Sequence, residues 1–567
     1  MSIRTVLALA VMLVCAAAAA AQPAPFAFGG PQADVGVAVD ALADGTFAIG
    51  GTTFGGYDPD PSGADATVPG GGAQDGFAAV YGPAGAFRFA VPIGPLGPSA
   101  ADAVFDVALG SDGSLVVVGQ VGETVDLDPG PGVATVEAPG LAVHVFLAAY
   151  SASGEFRWGF ALPGLDFSLG AYVDVDEDGT VYLAASASSP TDLDPGPGET
   201  IVDGFRSATL ASYAASGDFR WGFALEGAQY RARGLSMAGE RVALTGNLIS
   251  GAVDVDPGPA ERLLEDPDNR PSAWLTATYT TDGELASAFV VGGSNFGGVQ
   301  SVALGEAGGV ALVGSIDRAA DFDPGPGTRT IEDTGGTNGT GVVASYEADG
   351  TLRFAYGLGS ALPRGVSVEG DRLSWTGFFG EAFDADPGPA TRIVTPEAGL
   401  DIVTVGLTPA GGFRWASPIT GSGTGDNGLA VALASGRTYI TGRFSDTVDA
   451  DPGPATVELA SGGRFDYDVL AVAYGDRGDL AALPTAAETT LRGLTLSVAP
   501  NPSASGAAVV RVEHARGPVR LSVYDALGRL VAAPQAGRAL PPLAPGVYVI
   551  RAETAAGMAS ARFIVAR

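Results

Sequence analysis

Asp-x-Asp-Pro occurs seven times along this chain, nearly always continuing as Gly-Pro. The copies begin at Asp58 (the degenerate DPDPSG), Asp126, Asp192, Asp254, Asp321, Asp384 and Asp449, at spacings of 68, 66, 62, 67, 63 and 65 residues. A fixed period of this size means one supersecondary unit built repeatedly, each unable to bury its apolar face alone. Within one period, residues 145–198, VFLAAYS and EFRWGFALP alternate around Ala152-Ser153-Gly154. AYVDVDEDG and TVYLAAS then alternate around Asp178-Gly179. Each pair reads as a β-hairpin, and four strands per period is the size of one propeller blade.

Counting hairpins sets the number of blades. The first type starts near Phe77, Val145, Ala208, Ala273, Val342, Ile402 and Val469. The second starts near Val35, Val104, Tyr172, Leu235, Val299, Val366 and Leu429. The expectation is an all-β, seven-bladed β-propeller with four strands per blade, closed by its N- and C-terminal strands. The Val35 hairpin and the final hairpin near Val469 are expected to complete one blade between them, removing the exposed edges of a linear array. Composition agrees: 85 Gly and 39 Pro suit many short strands and tight turns, and every one of the 30 basic residues is Arg.

Charge is divided unequally. Residues 22–490 carry 20 Arg against 60 acids, whereas residues 491–567 carry 9 Arg against 3. A surface as acidic as the first repels phosphate backbones and anionic lipid, so nucleic acid is not an expected partner. Residues 1–21 read as a signal peptide: Arg4, an apolar run from Val6 to Val14, then Ala19-Ala20-Ala21 before Gln22. That run is too short for a membrane span, and no other stretch could form one. Cys15, the only cysteine, lies within it, so disulfides, thiolate zinc sites and cysteine catalysis are excluded after cleavage.

The units F-x-A-x-Y-x-x-x-G-x-F-R-W, D-x-D-G-x-V-Y and V-D-x-D-P-G-P-G resemble secreted bacterial β-propeller repeats of the SBBP type over about residues 24–484. The expected domains are the propeller at 22–484, a linker at 485–490 and a C-terminal module at 491–567. That module reads as a small Ig-like β-sandwich from TLSVAP, AVVRVEH, VRLSVYD, VYVIRAE and ARFIVAR. Pro500-Asn501-Pro502, Tyr524-Asp525-Ala526-Leu527-Gly528-Arg529 and Leu543-Ala544-Pro545-Gly546-Val547-Tyr548 resemble the type A sorting domain of type IX secretion. The resemblance implies passage to the periplasm, then to the cell surface or beyond, with the type IX machinery as a partner of residues 491–567.

For chemistry, the repeated loop is the best ligand candidate. In V-D-L-D the two carboxylates share one strand face, which pairs Asp126 with Asp128, Asp192 with Asp194 and Asp254 with Asp256. The later copies pair Asp321 with Asp323, Asp384 with Asp386 and Asp449 with Asp451. Such oxygens suit Ca²⁺, but calcium takes six or more ligands and the motif supplies two. Capping of the turn's own amides is the preferred reading. Asp174-Val175-Asp176-Glu177-Asp178-Gly179, Arg477-Gly478-Asp479 and Gly423-x-Gly425-x-x-Gly428 each match a short motif and each fall at hairpin or inter-strand turns. The only histidines, His144 and His514, lie in different modules, which excludes a Ser-His-Asp triad. The recurring Phe89, Trp158, Trp221, Phe354 and Trp415 read as packing between blades. No catalytic residue is assigned. The expected function is a surface binding or scaffold protein whose partner is an extracellular glycan or protein. The alternative is a carboxylate-dependent polysaccharide hydrolase or lyase at the channel, using acids that break the repeat, such as those in Glu265–Arg270 or Asp426-Asn427.

Overall fold

A computed structural model describes residues 23–478, apart from loop stretches such as 95–101, 138–142 and 267–269, together with the strands of 495–565. Residues 1–21 with Cys15, residues 485–490, Pro500, Asn501, Pro502, His514, Gly528, Arg529 and Pro545 lie outside the described residues. The chain divides into two compact units, 1–480 and 481–567.

The first unit is a ring of seven antiparallel sheets, each built on a path of four neighbouring strands. Blade 1 runs Val35–Ala41, Phe47–Phe54, Gln74–Tyr81 and Phe87–Ile93, from the channel outward. Blades 2 to 6 repeat that order, with inner strands at Ala103–Leu109, Tyr172–Val175, Glu226–Ala238, Gly298–Leu304 and Leu362–Glu369. The alternation seen in sequence is buried on both faces. His144–Tyr150, the third strand of blade 2, is buried at every position, because blades stack face to face and neither face meets water. Among the described residues the only helical element is the single turn Pro83–Gly85.

Closure differs from the expected division into two halves. Blade 7 takes three strands from the far end of the ring, Asn427–Ala434, Arg437–Ser445 and Tyr467–Tyr474. Its fourth strand is Phe26–Phe28, which pairs antiparallel with Tyr467–Tyr474 through Phe26↔Ala471 and Phe28↔Val469. The Val35 hairpin instead joins the next two strands in a contiguous blade 1. Sequence counting missed this latch because three residues, FAF, are too short to register as a strand. The physical signal is aromatic: Phe26 and Phe28 are buried, and their rings lie 5.0 Å from Tyr81 and 5.4 Å from Phe77 of blade 1.

The recurring aromatic position does pack between blades. The Trp158 indole donates to the Ala215 carbonyl of the next blade at 2.9 Å, and Trp221 does the same to Thr281 at 3.0 Å. Each sits on the glycine of the neighbouring hairpin turn. At Gly217 (φ +88°) a β-carbon would lie 2.8 Å from the Trp158 ring, so the turn needs glycine for both conformation and clearance. Phe289 occupies the equivalent place beside Gly350 and belongs to the same set.

In the second unit Thr495–Ala499 pairs with Val509–Glu513. A four-stranded sheet orders Leu530–Ala532, Arg520–Asp525, Gly546–Thr554 and Gly557–Val565. The five alternating segments of the module are therefore all strands. Leu521, Val523 and Ile550 are buried on this sheet. The YDALGR and LAPGVY segments meet on it, since Tyr524 stands opposite Val549 and Asp525 opposite Tyr548, with Gly546 at the start of that strand.

Candidate functional site

Each Asp-x-Asp-Pro loop joins the second and third strands of a blade and is shaped by its own carboxylates. Val125 and Leu127 are buried while Asp126 faces solvent, as the alternation requires. Asp126 Oδ1 accepts the amides of Asp128 (3.1 Å) and Ala134 (2.7 Å), and Asp128 Oδ1 accepts that of Gly130 (2.8 Å). The same bonds recur from Asp192 to Asp194 and Thr200, and from Asp194 to Gly196. Asp254 accepts from Asp256 and Arg262, and Asp256 from Gly258 at 2.8 Å. Asp321 accepts from Asp323 and Arg329, and Asp323 from Gly325 at 2.9 Å. Asp384 accepts from Asp386 and Arg392, and Asp386 from Gly388 at 2.7 Å. Asp449 accepts from Asp451 and Val457, and Asp451 from Gly453 at 2.7 Å.

A tyrosine from the third strand ties the loop down: Tyr150 donates to the Leu127 carbonyl at 2.9 Å, and Tyr213 to that of Leu193 at 3.0 Å. One oxygen of each carboxylate thus caps a turn. Of the candidate calcium ligands, Asp128, Asp194, Asp256, Asp323, Asp386 and Asp451 each turn one oxygen inward to the glycine amide two residues on, and the first aspartate of each motif is likewise a cap. Among the described residues no three His, Cys, Asp or Glu side chains gather into a metal cage.

The short motifs dissolve into turns. Asp176 caps its hairpin through the Asp178 and Thr180 amides (3.0 and 2.8 Å), while Asp174 turns toward the channel. Gly478 lies against the Trp415 ring as the turn glycine of blade 7. Gly428 lies in the strand Asn427–Ala434, with no helix beside it. His144 is buried, and burial lowers its pKa. Asp426 is buried and accepts the Ser445 amide at 2.9 Å; burial and then nearby Asp401 push it up to about 6. Asp266 accepts the Arg270 amide at 2.6 Å.

The site that the ring creates is its channel, a cavity of about 400 Å³ lined by the seven inner strands. Three carboxyls line it: Asp40, Asp106 and Asp174. Each spends one oxygen on its own strand and one on the next blade. Asp40 accepts from Ala41 and Leu109 (both 2.7 Å), Asp106 from Val107 (3.0 Å) and Val173 (3.1 Å), and Asp174 from Val175 (2.8 Å) and Met237 (2.7 Å). Ser236 and Ser367 make the same tie to Leu304 and Leu433 in blades 4 to 5 and 6 to 7. Burial pushes Asp106 up to about 8, Asp174 to about 7 and Asp40 to about 6; Asp40 adds to the first two shifts, and Asp106 and Asp174 lie close enough to couple. These residues break the seven-fold pattern, since blades 4 to 7 have Ser or Ala where Asp40 and Asp174 stand. That departure was the signal available in sequence, and it went unread beside the louder loop motif.

No family model matches the chain, and no curated protein is similar to it. Among solved structures, a mutant apocarotenoid oxygenase of Synechocystis aligns at 11% identity and TM-score 0.35, covering 80% of this chain and 94% of its own. A protein of unknown function from Dyadobacter fermentans aligns at 10% and TM-score 0.29, covering 65% and 93%. PorZ, a surface component of the type IX secretion system of Porphyromonas gingivalis, aligns at 10% and TM-score 0.18, covering 96% and 100%. With every TM-score below 0.5, none of these likenesses is carried further. What stands on the chain's own geometry is a seven-bladed β-propeller with a polar channel.

Proposed function

We propose that this protein is an exported β-propeller acting as a binding or scaffold module at the cell surface or beyond it. One observation carries the non-catalytic reading: the channel acids are committed as ties between blades. Asp40, Asp106 and Asp174 each hold two backbone amides, one of them in the neighbouring blade. A general acid or nucleophile must reach a substrate proton or carbon, and a carboxyl holding the ring together is poorly placed for that. The recognised partner is an extracellular glycan or protein. Delivery rests on the sorting motifs: residues 491–567 are read as the address for type IX secretion, followed by surface anchoring or release. Within that module the Tyr548 hydroxyl donates to the Ala544 carbonyl at 2.8 Å, tying the tyrosine of LAPGVY to its alanine. Deleting residues 485–567 should leave the propeller in the periplasm, read by cell fractionation; surface display of the truncated chain would refute the address.

A second reading keeps one specific observation in its favour. Three channel carboxyls titrate between about 6 and about 8, the range a general acid or base needs. If the ring is a polysaccharide hydrolase or lyase, the full chain should release reducing or unsaturated ends from a polysaccharide panel, and Asp106→Asn should abolish that release. Binding without turnover is the expected result.

A further inference from the structure

The chain carries 63 acids against 30 arginines, so an arginine without a carboxylate partner is out of place in it. Arg157, Arg353, Arg372 and Arg414 each pair with an Asp or Glu. Arg233, Arg364 and Arg443 pair with none among the described residues. They gather at one level of the ring. Arg233 and Arg364 occupy the bulge positions of inner strands 4 and 6 and line the channel. Arg443 stands opposite Asn427, at the beginning of inner strand 7.

Neutral groups hold each guanidinium in place. Arg364 donates to Gln300 Oε1 at 3.0 Å and lies 5.3 Å over the Phe378 ring. Arg443 lies 4.7 Å over Tyr467, and the Arg233 charge is close enough to Tyr172 to offset part of the upward shift that burial gives that hydroxyl. Aromatic faces fix a guanidinium without cancelling its charge. The Nε of all three is shielded from solvent and has no acceptor. Burial, and then the charges of Arg233 and Arg443, hold the Arg364 pKa below its ordinary range, so the three charges feel one another. Two like charges and two unused donors on the wall of one cavity, with the Arg443 charge close by, are costly to build unless something with oxygens completes them.

We propose that the channel binds a small oxyanion, a carboxylate- or sulfate-bearing molecule, seated against Arg233 and Arg364, with the charge of Arg443 behind them. Forked guanidinium donors match such oxygens. A net charge of −33 repels long polyanions, so the occupant is a compact anion or a chain terminus, and a cavity of about 400 Å³ holds one or two sugar rings. Farther along the channel, Ser236 and Ser367 accept the Leu304 and Leu433 amides and keep their own hydroxyl protons to donate to oxygens on the same molecule. This inference rests on the ring being a recognition module and is independent of how the protein is exported.

The test is calorimetric titration of the full purified chain with glucuronate, acetate, sulfate and phosphate at constant ionic strength, alongside thermal melts. Saturable binding of at least one anion is expected, weakened tenfold or more in Arg233→Gln and in Arg364→Gln. The first pair reports a carboxylate site and the second a sulfate or phosphate site. Should Arg233→Gln fail to fold, Arg364→Gln carries the comparison. Absence of saturable binding to the native chain, or equal affinity in both folded variants, overturns the proposal. A neutral glycan bound at the rim with no anion in the channel would sink this inference while leaving the recognition reading intact.

Discussion

Asp106 holds the amides of Val107 and Val173 in a channel where burial raises its pKa to about 8. In the unfolded chain an aspartate titrates near 4, so the folded protein binds this proton more tightly. The stabilisation is complete below about pH 4 and is lost as pH rises through about 8. Asp106→Asn cannot ionise. Its melting temperature should therefore fall less between pH 5 and 8 than that of the native chain, at matched ionic strength; parallel slopes would show that Asp106 is not the group responsible. The loop aspartates make the opposite case, since their job is local. Asp192→Ala strands the Asp194 and Thr200 amides and should cost about 1–2 kcal/mol in a denaturant melt. A chelator should leave the melting temperature of the native chain unchanged, because the turn is closed by its own amides; a drop on chelation would make calcium part of the loop.

Among elements, Phe26–Phe28 has an influence out of proportion to its length. Phe26 is 8% exposed, lies 5.0 Å from Tyr81 and 6.5 Å from Phe47, and fills against Tyr81 of blade 1 the place that Phe160 fills against Tyr213 of blade 3. Phe26→Ala should cost roughly 3–5 kcal/mol, as for an aromatic removed from a core. Urea denaturation would measure this, and a loss under about 1 kcal/mol would mean that the latch carries little load. The blades themselves were legible from sequence because each is made of neighbours in the chain, with period-2 alternation and a glycine at each turn. The latch and the channel were not, for a shared reason. A strand of three residues has no periodicity to read, and Asp40, Asp106 and Asp174 acquire meaning only when inner strands separated by more than sixty residues stand side by side.

For the molecule as a whole, charge sets the response to its surroundings. Residues 22–490 carry 60 acids against 20 Arg, and the ion pairs formed are partly exposed ones such as Arg157–Asp112 and Arg220–Asp282. Exposed pairs contribute little, and repulsion between like charges is relieved by screening. Raising NaCl from about 10 mM to about 500 mM, where the Debye length falls from roughly 30 Å to a few ångströms, should therefore raise the melting temperature. A fall would mean that attractive pairs dominate. The ring's closure has a consequence in time as well as in space. Phe26–Phe28 leaves the ribosome before the other described strands of the ring, yet its partner Tyr467–Tyr474 is made only after all the other blades. Until then the growing chain is an open arc, and pairing its ends requires the longest loop closure of the fold. The ring thereby tests its own completeness: a chain cut short before residue 467 has nothing for its first strand to grip, and it stays unlocked.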